Sequence, residues 1–270
     1  MGNILHDIHG RYLGFDHDYN LQALQGYRSG KRGNLISLPS PNHVVLFDDF
    51  ESGFDTGRWL ATEGTDAATS NAAILAGGIG GVLRLTTGDA GTGLAADTEQ
   101  ITQNQLMWQA SNGGLAFQTR VNLSAITTCW AFFGFTDTVA AALEAPYTIS
   151  GATYTSNATD AVGFLFDTGA TTDNIKLVGV KNDVDAANLD AGVAFAAAQY
   201  ATLRVELDTS GNAHFFINGL FVGYLADAVT AATDLTAIMA VSKLSVAASM
   251  TADIDYVHVA MNRAADGGAV

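Results

Sequence analysis

The sequence predicts an all-β chain: two antiparallel sheets stacked as a sandwich, preceded by an extended N-terminal arm. Three observations carry this. From residue 44 onward the apolar runs are short, mostly of period two, and bounded by Gly, Asn, Asp and Thr, which is the pattern of half-buried strands. Strands do not alternate with long helical stretches, as a parallel sheet with crossover helices would require. The residues before 44 have no consistent apolar period and are broken by glycines at 10, 14, 26, 30 and 33, so they cannot build a core of their own.

The elements follow in chain order. Residues 1–43 are arm and linker. Ile4, Leu5, Ile8, Tyr12, Leu13, Phe15, Tyr19, Leu21 and Leu24 are scattered apolar anchors, and YRSGKRGN (27–34) adds a flexible basic stretch with Arg28, Lys31 and Arg32. Such an arm gains affinity by burying its anchors on another surface, at the entropic cost of ordering there; all twelve residues are expected to bind a partner. LPSPN (38–42) is a stiff extended lead into the first strand. His6, His9 and His17, with Asp7, Asp16 and Asp18, are metal-ligand types. They lack the helical i, i+4 spacing or cysteine partners of a zinc site, and no metal is expected there.

Residues 44–262 are the sandwich, and 263–270 a tail. Strand signals fall at 44–50, 81–87, 105–110, 115–123, 129–136, 161–167, 175–181, 200–208, 213–219, 220–225, 235–242 and 254–261. Alanine-rich 138–145 and 226–233 are helix-compatible but sit between strands in loop-like company. The clearest local device runs from Leu203 to Leu225. Asp208, Ser210, Gly211 and Asn212 make one tight turn, and Asn218-Gly219 makes a second that accepts positive φ. Alternation puts Leu203, Val205 and Leu207 on a dry face and Arg204, Glu206 and Asp208 on a wet one.

The order DDFE, RWL, GLAFQTRV, CWAFFGFTD, DAVGFLFD, YATLRVELDTSGNAHFFINGLFVG and ADIDYVHVAM resembles the concanavalin A-like lectin/glucanase jelly roll over 44–262. The resemblance implies two curved, stacked antiparallel sheets. It does not by itself imply sugar binding, because a fold is reused and function lives in a site.

Charge excludes some partners. The chain carries a formal −15, but residues 1–43 hold four basic and three acidic groups while the remainder holds 8 and 24. An acidic body repels phosphate backbones and anionic headgroups, so neither nucleic acid nor membrane is expected as a partner. The single cysteine, Cys129, lies in an apolar run and is expected to be buried and inert. No secretory signal is recognised, and the expected site of synthesis is a host cytoplasm.

Catalytic patterns are sparse. Glucanases of the resembled fold alternate glutamates with an aspartate along one strand, and a retaining pair stands about 5 to 5.5 Å apart. Here the five glutamates, Glu51, Glu63, Glu99, Glu144 and Glu206, are dispersed. The nearest imitation is Asp253 and Asp255, spaced i, i+2 with Ile254 and Tyr256 expected to point into the core. Asn182, Asp183, Asp185, Asn188 and Asp190 are oxygen donors that suit either calcium or a solvated loop. Trp59, Trp108 and Trp130 are expected to pack rather than to form a sugar platform.

These readings lead to an expected non-enzymatic virion protein without catalytic residues, metal or cofactor. It is expected to resemble the jelly-roll decoration or cement proteins of tailed-phage heads and to dock on the major capsid protein or another virion subunit at the capsid surface. A homo-oligomer is expected, with a trimer the form the family suggests. The alternative is a carbohydrate-binding module or phage receptor-binding part on the same sandwich.

Overall fold

The computed structural model describes residues 43–262 apart from 67–69, 79, 90–92, 140–142, 144, 187 and 245–248, together with the backbone of two short strands in the arm. Those two, β1 (Leu5–His6) and β2 (Tyr12–Leu13), pair antiparallel. The twelve arm residues expected to contact a partner otherwise lie outside the described residues.

The described residues form eighteen further strands, sixteen in the two sheets of the sandwich and two, Tyr147–Ser150 and Thr153–Ser156, in a separate hairpin. They are β3 (His43–Asp48), β4 (Trp59–Glu63), β5 (Asn71–Ile74), β6 (Leu83–Thr86), β7 (Glu99–Gln103), β8 (Leu115–Leu123), β9 (Cys129–Thr136), β10 (Tyr147–Ser150) and β11 (Thr153–Ser156). Then come β12 (Ala161–Asp167), β13 (Lys176–Lys181), β14 (Val184–Asp185), β15 (Leu189–Asp190), β16 (Tyr200–Leu207), β17 (Ala213–Ile217), β18 (Leu220–Leu225), β19 (Thr236–Lys243) and β20 (Thr251–Asn262). One sheet runs β14-β13-β12-β9-β19-β7-β4, with β15 also on β13. The other runs β18-β17-β16-β8-β20-β6-β5, with β3 also on β20. The chain crosses between the sheets repeatedly, as a jelly-roll sandwich does.

Period-two alternation decides what lies between the sheets. On β9, Phe133 and Phe135 point inward; on β12, Val162, Phe164 and Phe166 do, and on β16, Leu203, Val205 and Leu207. Phe117 meets Phe135 edge-on at 5.6 Å and Phe164 meets Phe215 at 5.3 Å, so aromatic pairs fasten one sheet to the other. Burial of dozens of such side chains, each contributing about 1.5–3 kcal/mol, is what drives the stacking.

The two turns behave as their residues require. The Asp208 carboxylate accepts from the Ser210 and Asn212 amides at 2.8 and 3.0 Å. Asn218 and Gly219 adopt φ of 52° and 78°, the left-handed pair of a two-residue hairpin.

The structure departs from the sequence expectation in three places. QLMWQA (105–110) is not a strand: Trp108 makes an isolated bridge to Leu235, and Ala110–Asn112 is a 3-10 turn. Strands β4, β5, β7, β10, β11, β14 and β15 form where the sequence carries no strand signal. Of these, EQITQ of β7 is wholly buried although three of its five side chains are Glu or Gln, which read as loop. Tyr256 does not enter the core. The β20–β8 register shifts between Ile254 and Tyr256, and this bulge turns Tyr256 outward while Ile254 and Val257 stay inside.

Candidate functional site

The outward side of the β20-containing sheet carries the described residues with binding chemistry. Register aligns one row across it: Phe47 on β3, His258 on β20, Gln118 on β8, Arg204 on β16, Phe216 on β17 and Phe221 on β18. Tyr256 stacks against Phe47 at 6.0 Å and 29°. At the other end Phe216 meets Phe221 at 5.7 Å, and His214 meets Tyr224 at 4.9 Å. Phe47, Phe221 and Tyr224 are 54%, 58% and 43% exposed, values at which a large apolar ring is a surface platform rather than core.

Between the platforms the row is polar and its charges are paired, but Gln118, Arg204 and His258 are all buried there. Arg204 lies 4.1 Å over the Phe216 ring and pairs with Glu206 at 3.2 Å; Arg120 lies 4.0 Å over Tyr200 and pairs with Asp255 at 2.6 Å. Gln118 donates to the Tyr256 hydroxyl at 2.6 Å. His258 is 2% exposed, and neither of its ring nitrogens has a hydrogen-bond partner. Burial pushes its pKa down to about 4, so the ring is neutral at ordinary pH.

Asp253 and Asp255 share this outward side, but each is committed to an arginine. Arg84 binds Asp253 through two bonds, Nε–Oδ1 at 2.6 Å and Nη2–Oδ2 at 2.8 Å. Arg120 binds Asp255 at 2.6 Å, so both carboxylates are occupied by charge-assisted hydrogen bonds.

The opposite sheet offers no comparable surface among the described residues. Its outward side holds Trp130, Phe132, Leu165, Val178, Val180 and Ile238, buried beneath the β10–β11 hairpin with Tyr147 and Ile149. Asp167 tethers the hairpin by accepting from the Ile149 amide at 2.9 Å, and the Trp130 indole donates to the Tyr147 carbonyl at 2.8 Å. On β12 the outward positions are Ala161, Gly163, Leu165 and Asp167, a single carboxylate rather than an alternating series. Trp59 and Trp108 are also fully buried, donating to Asp48 and Gln103.

The dispersed acids are brought together in one place the sequence did not indicate. Glu63 on β4 stands directly opposite Glu99 on β7. Glu99 has no exposed surface and no partner for either carboxyl oxygen. Burial, and secondarily Glu63, raise its pKa to about 8. The absence of surface keeps Glu99 from touching any bound chain in this conformation.

The calcium candidates do not converge. Asp190 is taken by Lys176 at 2.7 Å and Asn188 by the Tyr147 hydroxyl at 3.2 Å. No group of three or more His, Cys, Asp or Glu among the described residues is placed to hold a metal. Cys129 is buried, its pKa pushed up to about 12 mainly by that burial.

No family model and no curated protein matches the sequence. Among solved structures the chain is similar to the endo-1,3-β-glucanase of Streptomyces sioyaensis, with a TM-score of 0.54 and 13% identity over 83% of this chain and 98% of that one. It is similar to the endo-β-1,3-glucanase of Pyrococcus furiosus, with a TM-score of 0.55 and 11% identity over 81% and 94%. The Bacillus licheniformis β-glucanase gives a TM-score of 0.53 and 14% identity over 80% and 97%. At these identities the likeness shows the fold. It bears out the jelly-roll part of the resemblance, while the capsid-decoration part has no counterpart in these structures. The expectation of a non-enzymatic chain is corrected by the same finding, since the architecture is that of endo-glucanases.

Proposed function

We propose that this protein engages a neutral polysaccharide of the β-glucan class on the outward face of its β20-containing sheet. The carrying observation is the row from Phe47 to Phe221: exposed rings at both ends and, buried between them, the planar polar groups of His258, Gln118 and Arg204, the last paired with Glu206. Sugar rings present apolar C–H faces that stack on aromatic rings and hydroxyls that bond amides, imidazoles and guanidinium groups. Pairing of Arg84, Arg120 and Arg204 with Asp253, Asp255 and Glu206 leaves the face without a net field that would select an anionic sugar. The names of the fold neighbours, which concern β-glucans, supply the class of glycan to try first.

The test is native electrophoresis in gels containing laminarin or mixed-linkage glucan, with reducing-end release measured on the same samples. Retardation of the wild type is expected, and joint replacement Phe221→Ala with Tyr224→Ala should weaken it by about fivefold or more. Wild-type mobility unchanged by every neutral glucan would overturn the proposal. Should reducing ends be released, Asp253→Asn with Asp255→Asn decides whether those carboxylates take part.

Docking of the arm on a virion subunit, with symmetric oligomer closure, is a separate proposal. It rests on the anchors between Ile4 and Leu24 and on Arg28, Lys31 and Arg32. Removal of residues 1–34 should abolish association with the particle, and a truncated chain that still associates fully would end it.

A further inference from the structure

Building on the glycan reading, we infer that His258 is the hydrogen-bonding centre of the face, engaging hydroxyls of an extended neutral glycan laid across the strands between two aromatic stations. Phe47 with Tyr256 is one station and Phe216 with Phe221 the other. The row between them crosses five strand-to-strand steps, about 24 Å at ordinary sheet spacing. Only a chain of several sugar rings spans that distance, so a ligand using both stations must be an oligosaccharide lying transverse to the strands.

His258 is the unspent group in the middle of that path. Gln118 is already bonded to Tyr256, and Arg204 is paired with Glu206. The imidazole has two polar atoms buried without partners, and a buried polar atom left unpaired is destabilising relative to a satisfied one. A neutral imidazole holds one donor and one acceptor. A hydroxyl supplies both complements, whereas a carboxylate or phosphate only accepts and would also meet the carboxylates of Asp253, Asp255 and Glu206. Because His258 is 2% exposed, a sugar reaches it only when a neighbouring side chain turns aside, and Phe47, more than half exposed on β3, stands 6.3 Å from the imidazole.

Isothermal titration of the full chain with a disaccharide and a hexasaccharide of β-1,3-glucan tests this, using the wild type, His258→Gln and His258→Leu, with melting curves as folding controls. The hexasaccharide should bind and the disaccharide should not. His258→Leu should lose about tenfold in affinity, the equivalent of one net hydrogen bond. His258→Gln, which keeps a donor and an acceptor, should stay within about threefold of the wild type. Nitrogen-15 shifts of the wild-type imidazole should move on adding the hexasaccharide, a readout that does not depend on the variants folding. Unchanged imidazole shifts at saturation or wild-type affinity in His258→Leu would overturn the role of His258, and equal affinity for the two sugars would overturn the two-station ligand, each while leaving the glycan face standing. Absence of any binding to either sugar or to the polysaccharide gels would remove the glycan reading itself.

Discussion

Glu99 is a carboxyl kept neutral by its surroundings. It is sealed on β7 opposite Glu63, and its pKa rises from 4.5 to about 8 through burial first and the neighbouring carboxylate second. In the unfolded chain it ionises near its ordinary value, so between those two pH values the folded state binds more protons than the unfolded one. Stability from this group is therefore fully present below about pH 4.5, is lost as pH rises toward about 8, and is level beyond. Urea unfolding across that window should show the decline, and Glu99→Gln should flatten it, gaining roughly 1–3 kcal/mol at pH 8 relative to wild type. Two other residues show the limit of sequence reading at this scale. Alternation predicts Tyr256 inside, and only the bulge after Ile254 reveals it outside with its hydroxyl on Gln118. His258 occupies an unremarkable place in IDYVHVAM, and nothing in that string tells that both nitrogens lack partners.

Among elements, the β17–β18 hairpin is the one most fully legible in advance, because a two-residue turn imposes its own chemistry. Gly219 at φ 78° would cost an alanine about 1–2 kcal/mol, and Asn218 adds a bond from the Thr202 amide to its side-chain oxygen at 2.9 Å. Gly219→Ala should lower the urea midpoint accordingly and also weaken glucan retardation, because β18 carries Phe221 and Tyr224. Close approach governs the next strand position of note. A Cβ on Gly223 would run into Leu177 of the opposite sheet, so Gly223→Val should cost roughly 1–3 kcal/mol by overpacking, read as a lowered midpoint. Strands β4 and β7 escaped the sequence reading for an opposite reason. Their Glu, Gln and Thr residues resemble loop composition, but β7 is buried along its whole length between β19 and β4, while β4 pairs with it as an edge strand that leaves Glu63 exposed. The β10–β11 hairpin is hard to read for a related reason: YTIS and TYTS are short and polar, and their apolar residues find their partners in distant side chains such as Trp130, Phe132 and Leu165.

At the scale of the molecule, the described core is assembled between Val44 and Met261. Deleting residues 1–34 should therefore leave a cooperative fold whose melting temperature falls by no more than about 3 °C, checked by calorimetry. Glucan binding should survive that deletion, since the row from Phe47 to Phe221 lies wholly after it, and this separates the face from any role of the arm. The sequence by itself determined the all-β class, the inward face of the strand carrying Leu203, Val205 and Leu207, and both tight turns, because period-two burial and left-handed φ are local demands written in neighbouring residues. Tertiary structure alone decided which residues share a surface. Phe47 and Phe221, like Glu63 and Glu99, are joined by strand order and register across chain separations that no local pattern encodes, and the side of the sandwich left open to a ligand depends on where the β10–β11 hairpin comes to rest.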